Sequence, residues 1–191
     1  MFTKKDIFYH LLLSFVLSFG IYARFIYYYD DGLWSDEWIS FFLSNPKASF
    51  YEIYKNHIKY EGSPPIILLF NLFWSKLFGH YYQSIEIGSA IISSATLLIS
   101  LFFFDRKRIK NLFFLFLVSI NPFLIYYSGE ARFYSVFCFF SLLSIIVFFS
   151  FCKKKNYINI FLFILFTLIA LSLSIYFISI FLSYKTKRSQ F

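Results

Sequence analysis

Apolar positions along this chain gather into six runs, at about 7–29, 64–78, 81–104, 112–127, 133–152 and 158–184, each bounded by short polar or charged clusters. Several approach or exceed the ~18–20 apolar residues that carry a helix across a bilayer core. The pattern predicts an all-α fold, a polytopic transmembrane bundle of about 5–6 apolar helices. It reads as a single membrane domain over 1–191, with an N-terminal span at 1–29, an outer-face loop at 30–63 and further membrane helices over 64–191. The first run, "IFYHLLLSFVLSFGIYARFIYYY", is too long for a secretory signal and no small-x-small site follows it, so it is expected to stay in place.

The polar stretch 30–63 has its own pattern. "SDEWISFFL" reads as a helix start, with Ser35 as N-cap and Asp36 and Glu37 in the first turn, where the helix dipole favours acids. "SFYEIYKNHI" carries the capping box Ser49-x-x-Glu52, after which Phe50, Ile53, Tyr54, His57 and Ile58 fall on one helical face. Two amphipathic, aromatic helices are predicted to lie in the outer membrane interface.

Charge adds a direction. The chain carries a formal +8, and 12 of its 18 basic residues sit in short connections or at the ends: Lys4 and Lys5; Arg106, Lys107, Arg108 and Lys110; Lys153, Lys154 and Lys155; Lys185, Lys187 and Arg188. The 30–63 loop holds six of the ten acids against three Lys, a net −3. The positive-inside rule puts the basic clusters in the cytoplasm and the acidic loop outside. No nucleic-acid-binding pattern accompanies the positive charge.

Parity follows. With 30–63 outside and "DRKRIK" inside, an odd number of crossings lies between 64 and 104, a length too short for three. The run 81–104 then crosses, and "PPIILLFNLFWSKLF", about 22 Å long as a helix, is a short interfacial or re-entrant helix opened by proline. Two crossings with "DRKRIK" outside is the alternative. On the first reading 112–127 runs out, "SGEAR" lies outside, 133–152 runs in, and 158–184 goes out and turns back near Tyr176.

Composition agrees: 59% hydrophobic, 26% aromatic and 15% charged is more apolar surface than a soluble domain of this length can hide. Cys138 and Cys152, fourteen residues apart in one apolar run, stand about 21 Å apart on a helix and cannot bridge each other; no metal-binding spacing occurs. Few Gly and Ala beside many Phe, Ile, Lys and Asn suggest an AT-rich, bacterial genome, which places the chain in a bacterial inner (cytoplasmic) membrane with the loop on the outer face.

Candidates for chemistry are few. Asp30, Asp31, Asp36, Glu37, Glu52, His57, Lys59, Glu61, Glu130 and Arg132 fall on the outer face. Arg24 and Glu86 lie near span ends, where snorkelling or pairing accounts for them. Taken singly, Asp36 and Glu37 read as charges that suit a helix N-terminus, and Glu130 with Arg132 as a solvated turn. Parity puts both pairs on one face, where acids and a cation above a membrane groove suit a lipid-borne substrate. A carboxylate can serve as general base toward a hydroxyl, and an Arg can hold a phosphate through two bonds.

Three stretches, "GLWSDEWIS", "EGSPPIILLFNLFWSKLFG" and "NPFLIYYSGEARFYSVFCFFSLLSI", occur in that order over about 32–145. They resemble successive N-terminal motifs of the GT-C fold glycosyltransferases, in the protein O-mannosyltransferase/aminoarabinose lipid A transferase-like superfamily. The resemblance implies inverting transfer of a sugar from a polyprenyl-phosphate donor to an outer-face lipid, glycan or protein acceptor. It implies Asp36 as general base, Glu37 and Glu130 as further catalytic carboxylates, and Arg132 and Tyr134 of the Glu-Ala-Arg-x-Tyr pattern as substrate- or phosphate-binding residues; His57, Lys59 and Glu61, on the same outer-face loop, are candidates for substrate or phosphate binding by their position. Asp36, Glu37 and Glu130 also offer oxygen ligands for a divalent cation such as Mg or Mn, and metal use stays open.

The chain departs from the family pattern. The Pro-Pro-Leu-Tyr motif is Pro64-Pro65-Ile66-Ile67, the residue before it is Ser63, and "LSIYF" replaces a later Thr-His-Tyr. Relatives run to several hundred residues, so the resemblance covers the N-terminal part of a GT-C module, a truncated one. A non-catalytic truncated or accessory membrane protein of the same family, binding a lipid carrier or partner subunit, is the second reading. A small transporter or channel fits less well, since no span carries paired buried charges or a pore lining.

Overall fold

A computed structural model describes residues 4–26, 33–49, 51–53, 55, 65–103 and 108–188, with backbone alone at 65 and 174–188. It is helical, with no strand among the described residues. The helices are α1 (Lys4–Ile26), α2 (Ser35–Leu43), α3 (Pro65–Phe78), α4 (Tyr82–Ser100), α5 (Arg108–Ile120), α6 (Pro122–Tyr126), α7 (Tyr134–Lys154) and α8 (Tyr157–Arg188). Three of them, α1, α4 and α7, are long and apolar enough to cross a membrane. At 1.5 Å per residue they measure about 34, 28 and 31 Å, against a hydrocarbon core of about 30 Å. Phe8, Phe15 and Tyr22 stand exposed along α1, the kind of surface a bilayer covers.

Two sequence expectations fail along the chain. The run 112–127 is not one helix: α5 stops at Ile120 and α6 begins at Pro122. Asn121, forced out of the helical region by the proline that follows, is extended (φ −65°, ψ 115°), and its side chain accepts a bond from the Leu124 N–H at 3.1 Å. Nor does the last run turn back near Tyr176: α8 is unbroken for 32 residues, about 48 Å. No Gly or Pro lies within it, and nothing in the local sequence stops the ladder.

Packing fixes which ends lie together. Asp6 at the start of α1 pairs with Arg108 at the start of α5 (2.9 Å), and Phe103 beyond α4 meets Phe149 near the end of α7. The basic clusters at 4–5, 108–110 and 153–155 therefore share one end of the bundle. At the other end lies α3, only about 21 Å long. Its Ile67 packs with Val136 at the top of α7 and with Leu173, while its Trp74 lies on Gly88 of α4. A Cβ on Gly88 would stand 2.5 Å from the buried indole, so the crossing needs glycine there. These partners lie toward one end of the bundle, so α3 rests across it rather than along its length.

Arg24 corrects the expectation that it snorkels. It is fully buried, and its guanidinium donates from Nε to Ser93 Oγ on α4 (2.9 Å), from Nη1 to the Gly20 carbonyl (2.9 Å) and from Nη2 to the Val118 carbonyl on α5 (3.0 Å). A charge so placed is tolerated because each of its three nitrogens has an acceptor; a rigid planar fork holds three helices in fixed directions, which a compact ammonium does not. Arg24→Lys should therefore lower the thermal midpoint in detergent by about 4–8 °C, since ~2 kcal/mol is lost when buried acceptors go unpaired. A midpoint within ~1 °C of wild type, less than the ~2–4 °C that losing a single bond of ~1 kcal/mol would cost at this chain length, would remove Arg24 from this role.

Candidate functional site

The site forms where α2 meets the 127–134 segment. α2 does not start as the sequence implied. The N-cap is Trp34, with extended backbone (φ −68°, ψ 160°), and Ser35 is already helical. Trp34 has no side-chain acceptor to offer, so the orphan N–H groups are met in another way: Glu37 Oε2 reaches back to the Trp34 N–H at 2.9 Å. The capping box at Ser49 and Glu52 forms as its spacing predicts, with the Ser49 N–H on Glu52 Oε2 (2.8 Å) and the Glu52 N–H on Ser49 Oγ (3.2 Å).

Glu37 does more than cap. Its other oxygen, Oε1, accepts the Ala131 N–H at 2.6 Å, across 94 residues of sequence. Ala131 is fully buried, and its carbonyl faces the Asn71 amide of α3 at 3.5 Å. Ser128 Oγ donates to the Arg24 carbonyl (3.3 Å), and Ser135 Oγ to the Tyr127 carbonyl (3.1 Å). The segment is thus held by α1, α2, α3 and the first turn of α7.

This brings five of the sequence-predicted residues together. Asp36, Glu37, Glu130, Arg132 and Tyr134 line one cleft of about 240 Å³, with Trp34, Tyr126 and Tyr127 as the remaining wall. His57, Lys59 and Glu61 lie outside the described residues. Asp36 and Glu37, about 100° apart on the helix, face different ways: the Asp36 side chain is 70% exposed, whereas Glu37 is buried. Arg132 Nη2 sits 3.8 Å from Asp36 Oδ2, and its Nη1 donates to the Asp36 carbonyl at 3.4 Å.

The sequence had not pointed to Trp34, Tyr126 and Tyr127 as a wall, and had given Glu86 no part in a site. Tyr127 packs between Tyr126 and Tyr134, with centroids 5.1 and 4.2 Å away, and Trp34 is well exposed over the cleft. Exposed aromatic faces of this kind stack on the C–H faces of sugars and other rings. Glu86, expected to pair or snorkel, is instead buried on α4, near enough to Glu37 for their charges to repel. The one signal for it was an acid inside an apolar run.

Electrostatics separate the acids. Burial raises the Glu37 carboxyl above its ordinary value, while its two backbone bonds and then Arg132 pull it down. Glu130 is pushed up to about 7, first by burial and then by the negative Glu37, with Arg132 opposing. Among the described residues no group of three His, Cys, Asp or Glu side chains converges closely enough to hold a metal ion.

No protein-family model matches the chain, and no curated protein or solved structure is significantly similar to it. Its functional reading rests on the cleft and on the order of the motifs.

Glu130 makes a testable link between pH and stability. A carboxyl raised by folding is neutral in both states below pH 4.5 and ionised in both above about 7, so folding is penalised increasingly as pH rises between those values. Glu130→Gln should raise the thermal midpoint at pH 8 by about 2–4 °C, the shift of ~1 kcal/mol left after solvent screening of a half-exposed group. The gain should vanish toward pH 4.5. An equal gain at both ends would exclude a titrating Glu130 as its cause.

Proposed function

We propose that this chain is a membrane glycosyltransferase, or the N-terminal part of one, of the GT-C kind. It transfers a sugar from a polyprenyl-phosphate donor to an acceptor hydroxyl with inversion at the anomeric carbon. The observation that carries the reading is the Glu37–Ala131 hydrogen bond, which joins the two acidic motifs in one aromatic cleft at the end of the bundle away from three basic clusters. With those clusters in the cytoplasm, the cleft opens on the outer face, level with the headgroup region where a polyprenyl phosphate would present its sugar.

The chemistry is an in-line displacement. The acceptor oxygen forms a bond to the anomeric carbon as its proton passes to the Asp36 carboxylate, the most accessible acid of the cleft. The bond from that carbon to the phosphate oxygen breaks, and the electron pair leaves with polyprenyl phosphate. Phosphate is a good leaving group and needs fixed positive charge rather than a proton, which Arg132 supplies from the cleft wall. One base opposite the leaving group is the arrangement that gives inversion. The aromatic wall would hold the sugar ring.

The test is release of free polyprenyl phosphate from a panel of short-chain polyprenyl-phosphate hexoses and pentoses, with the full chain in lipid vesicles and membrane lipids as acceptors. Wild-type protein should release it from at least one glycoside. Asp36→Asn should lower kcat by about 100-fold or more, the scale of a lost general base, and Arg132→Gln should raise the KM for the donor by about 10-fold, the worth of a charge-assisted contact. Activity of Asp36→Asn within about twofold of wild type would remove Asp36 as base; no release from any glycoside would favour the accessory, lipid-binding reading.

A further inference from the structure

Adjacent acids on one helix turn invite a shared role, and the geometry separates them. Asp36 faces the cleft and has an oxygen open to solvent. Glu37 is 3% exposed and both of its oxygens are engaged, accepting backbone N–H groups from Trp34 at 2.9 Å and from Ala131 at 2.6 Å. A base must take up a proton, and protonation would remove the charge that strengthens both of those buried bonds, a loss on the scale of the ~1–3 kcal/mol that separates charged from ordinary hydrogen bonds. What the bonds do instead is local. Ala131 lies between Glu130 and Arg132, so gripping its N–H, with Asn71 at its carbonyl, fixes the backbone from which both side chains enter the cleft.

We propose that Glu37 is a positioning residue: its carboxylate clamps the Ala131 N–H to the N-terminus of α2 and so sets Glu130 and Arg132 opposite Asp36, without itself exchanging a proton. This differs from the catalytic part expected of Glu37 from the sequence. Its consequence for transfer rests on the glycosyltransferase reading; the clamp itself does not.

The clamp has a second effect through charge. The groups that face Glu37 are Asp36 on its own helix, Glu86 on α4, and Glu130 and Arg132 on the clamped segment. Tyr134 lies beside Glu130. Removing the Glu37 charge should let Glu130 titrate at lower pH, because a neighbouring negative charge is lost.

The experiment compares Glu37→Gln, Glu37→Ala and Asp36→Asn with the wild-type full chain in detergent, by hydrogen–deuterium exchange over the peptide containing 128–134. Exchange there should rise by about tenfold or more in Glu37→Ala, the effect of losing ~1.4 kcal/mol of protection. Glu37→Gln keeps one acceptor and should fall between it and wild type. Asp36→Asn should not change exchange. Glu37→Gln is nearly isosteric, so it decides the matter where Glu37→Ala fails to fold. In the release assay the Glu37→Gln variant should lose kcat yet keep the shape of its pH–rate profile, while the pH dependence of the thermal midpoint that belongs to Glu130 moves to lower pH.

Wild-type exchange in Glu37→Gln, alone or with the kinetic loss of Asp36→Asn, overturns the clamp and returns Glu37 to the reacting groups. Faster exchange in Glu37→Gln without release from any glycoside in wild type upholds the clamp and refutes the glycosyltransferase reading, so the two failures are distinct.

Discussion

A guanidinium enclosed by protein sets the frame of this molecule. Arg24 is 0% exposed. Its donors find acceptors on its own helix, on α4 and on α5. In a setting where an unmet donor costs several kcal/mol, that pairing fixes the register of three helices near one end of the bundle. Gly20, one turn below, lets them approach: a Cβ there would stand 2.7 Å from Ser119 Oγ and 2.9 Å from Leu97. Arg24 also offers its own carbonyl to Ser128, which begins the segment bearing Glu130 and Arg132.

From that frame the cleft follows in two steps. α3 lies across the end of the bundle, its Trp74 seated on Gly88 and its Asn71 turned to the Ala131 carbonyl. α2 then settles on α3 and α4, with Phe41 stacked on His80 at 4.2 Å and Trp38 near Tyr82, so that Glu37 meets the Ala131 N–H. The result places three acids near one another, a costly arrangement for stability alone. Such costs gather at sites that work, and they distinguish this end of the bundle from the one where Asp6 and Arg108 make an exposed pair worth little.

Much of the helical order was legible in the sequence. Apolar runs placed α1, α3, α4 and α7 within a few residues, and positive charge at alternate connections led to the view that residues 36–37 and 130–132 share one end. What was not legible depended on contacts between distant parts. Ser35 is the better N-cap by type, yet Trp34 takes the position because Glu37 meets its N–H from within the helix. Asn121–Pro122 cut a run whose hydrophobicity gave no warning, although the proline itself was a signal. Arg24 and Glu86 read as span-end charges because sequence does not reveal which face of a helix meets protein rather than lipid. The aromatic wall was hidden among 16 Tyr and 31 Phe, where no single ring stands out before the cleft is seen.

Clamp, cleft and direction across the membrane depend on one another, and the direction bears on both of the others. The most direct measurement is labelling of single cysteines by an impermeant maleimide in intact cells, in a background with Cys138 and Cys152 replaced. Cysteines at Ser35 and Gly129 should both label without permeabilisation, and one at Lys154 only after it. Labelling of the Gly129 position only after permeabilisation, or labelling of the two cleft positions from opposite sides, would contradict the account.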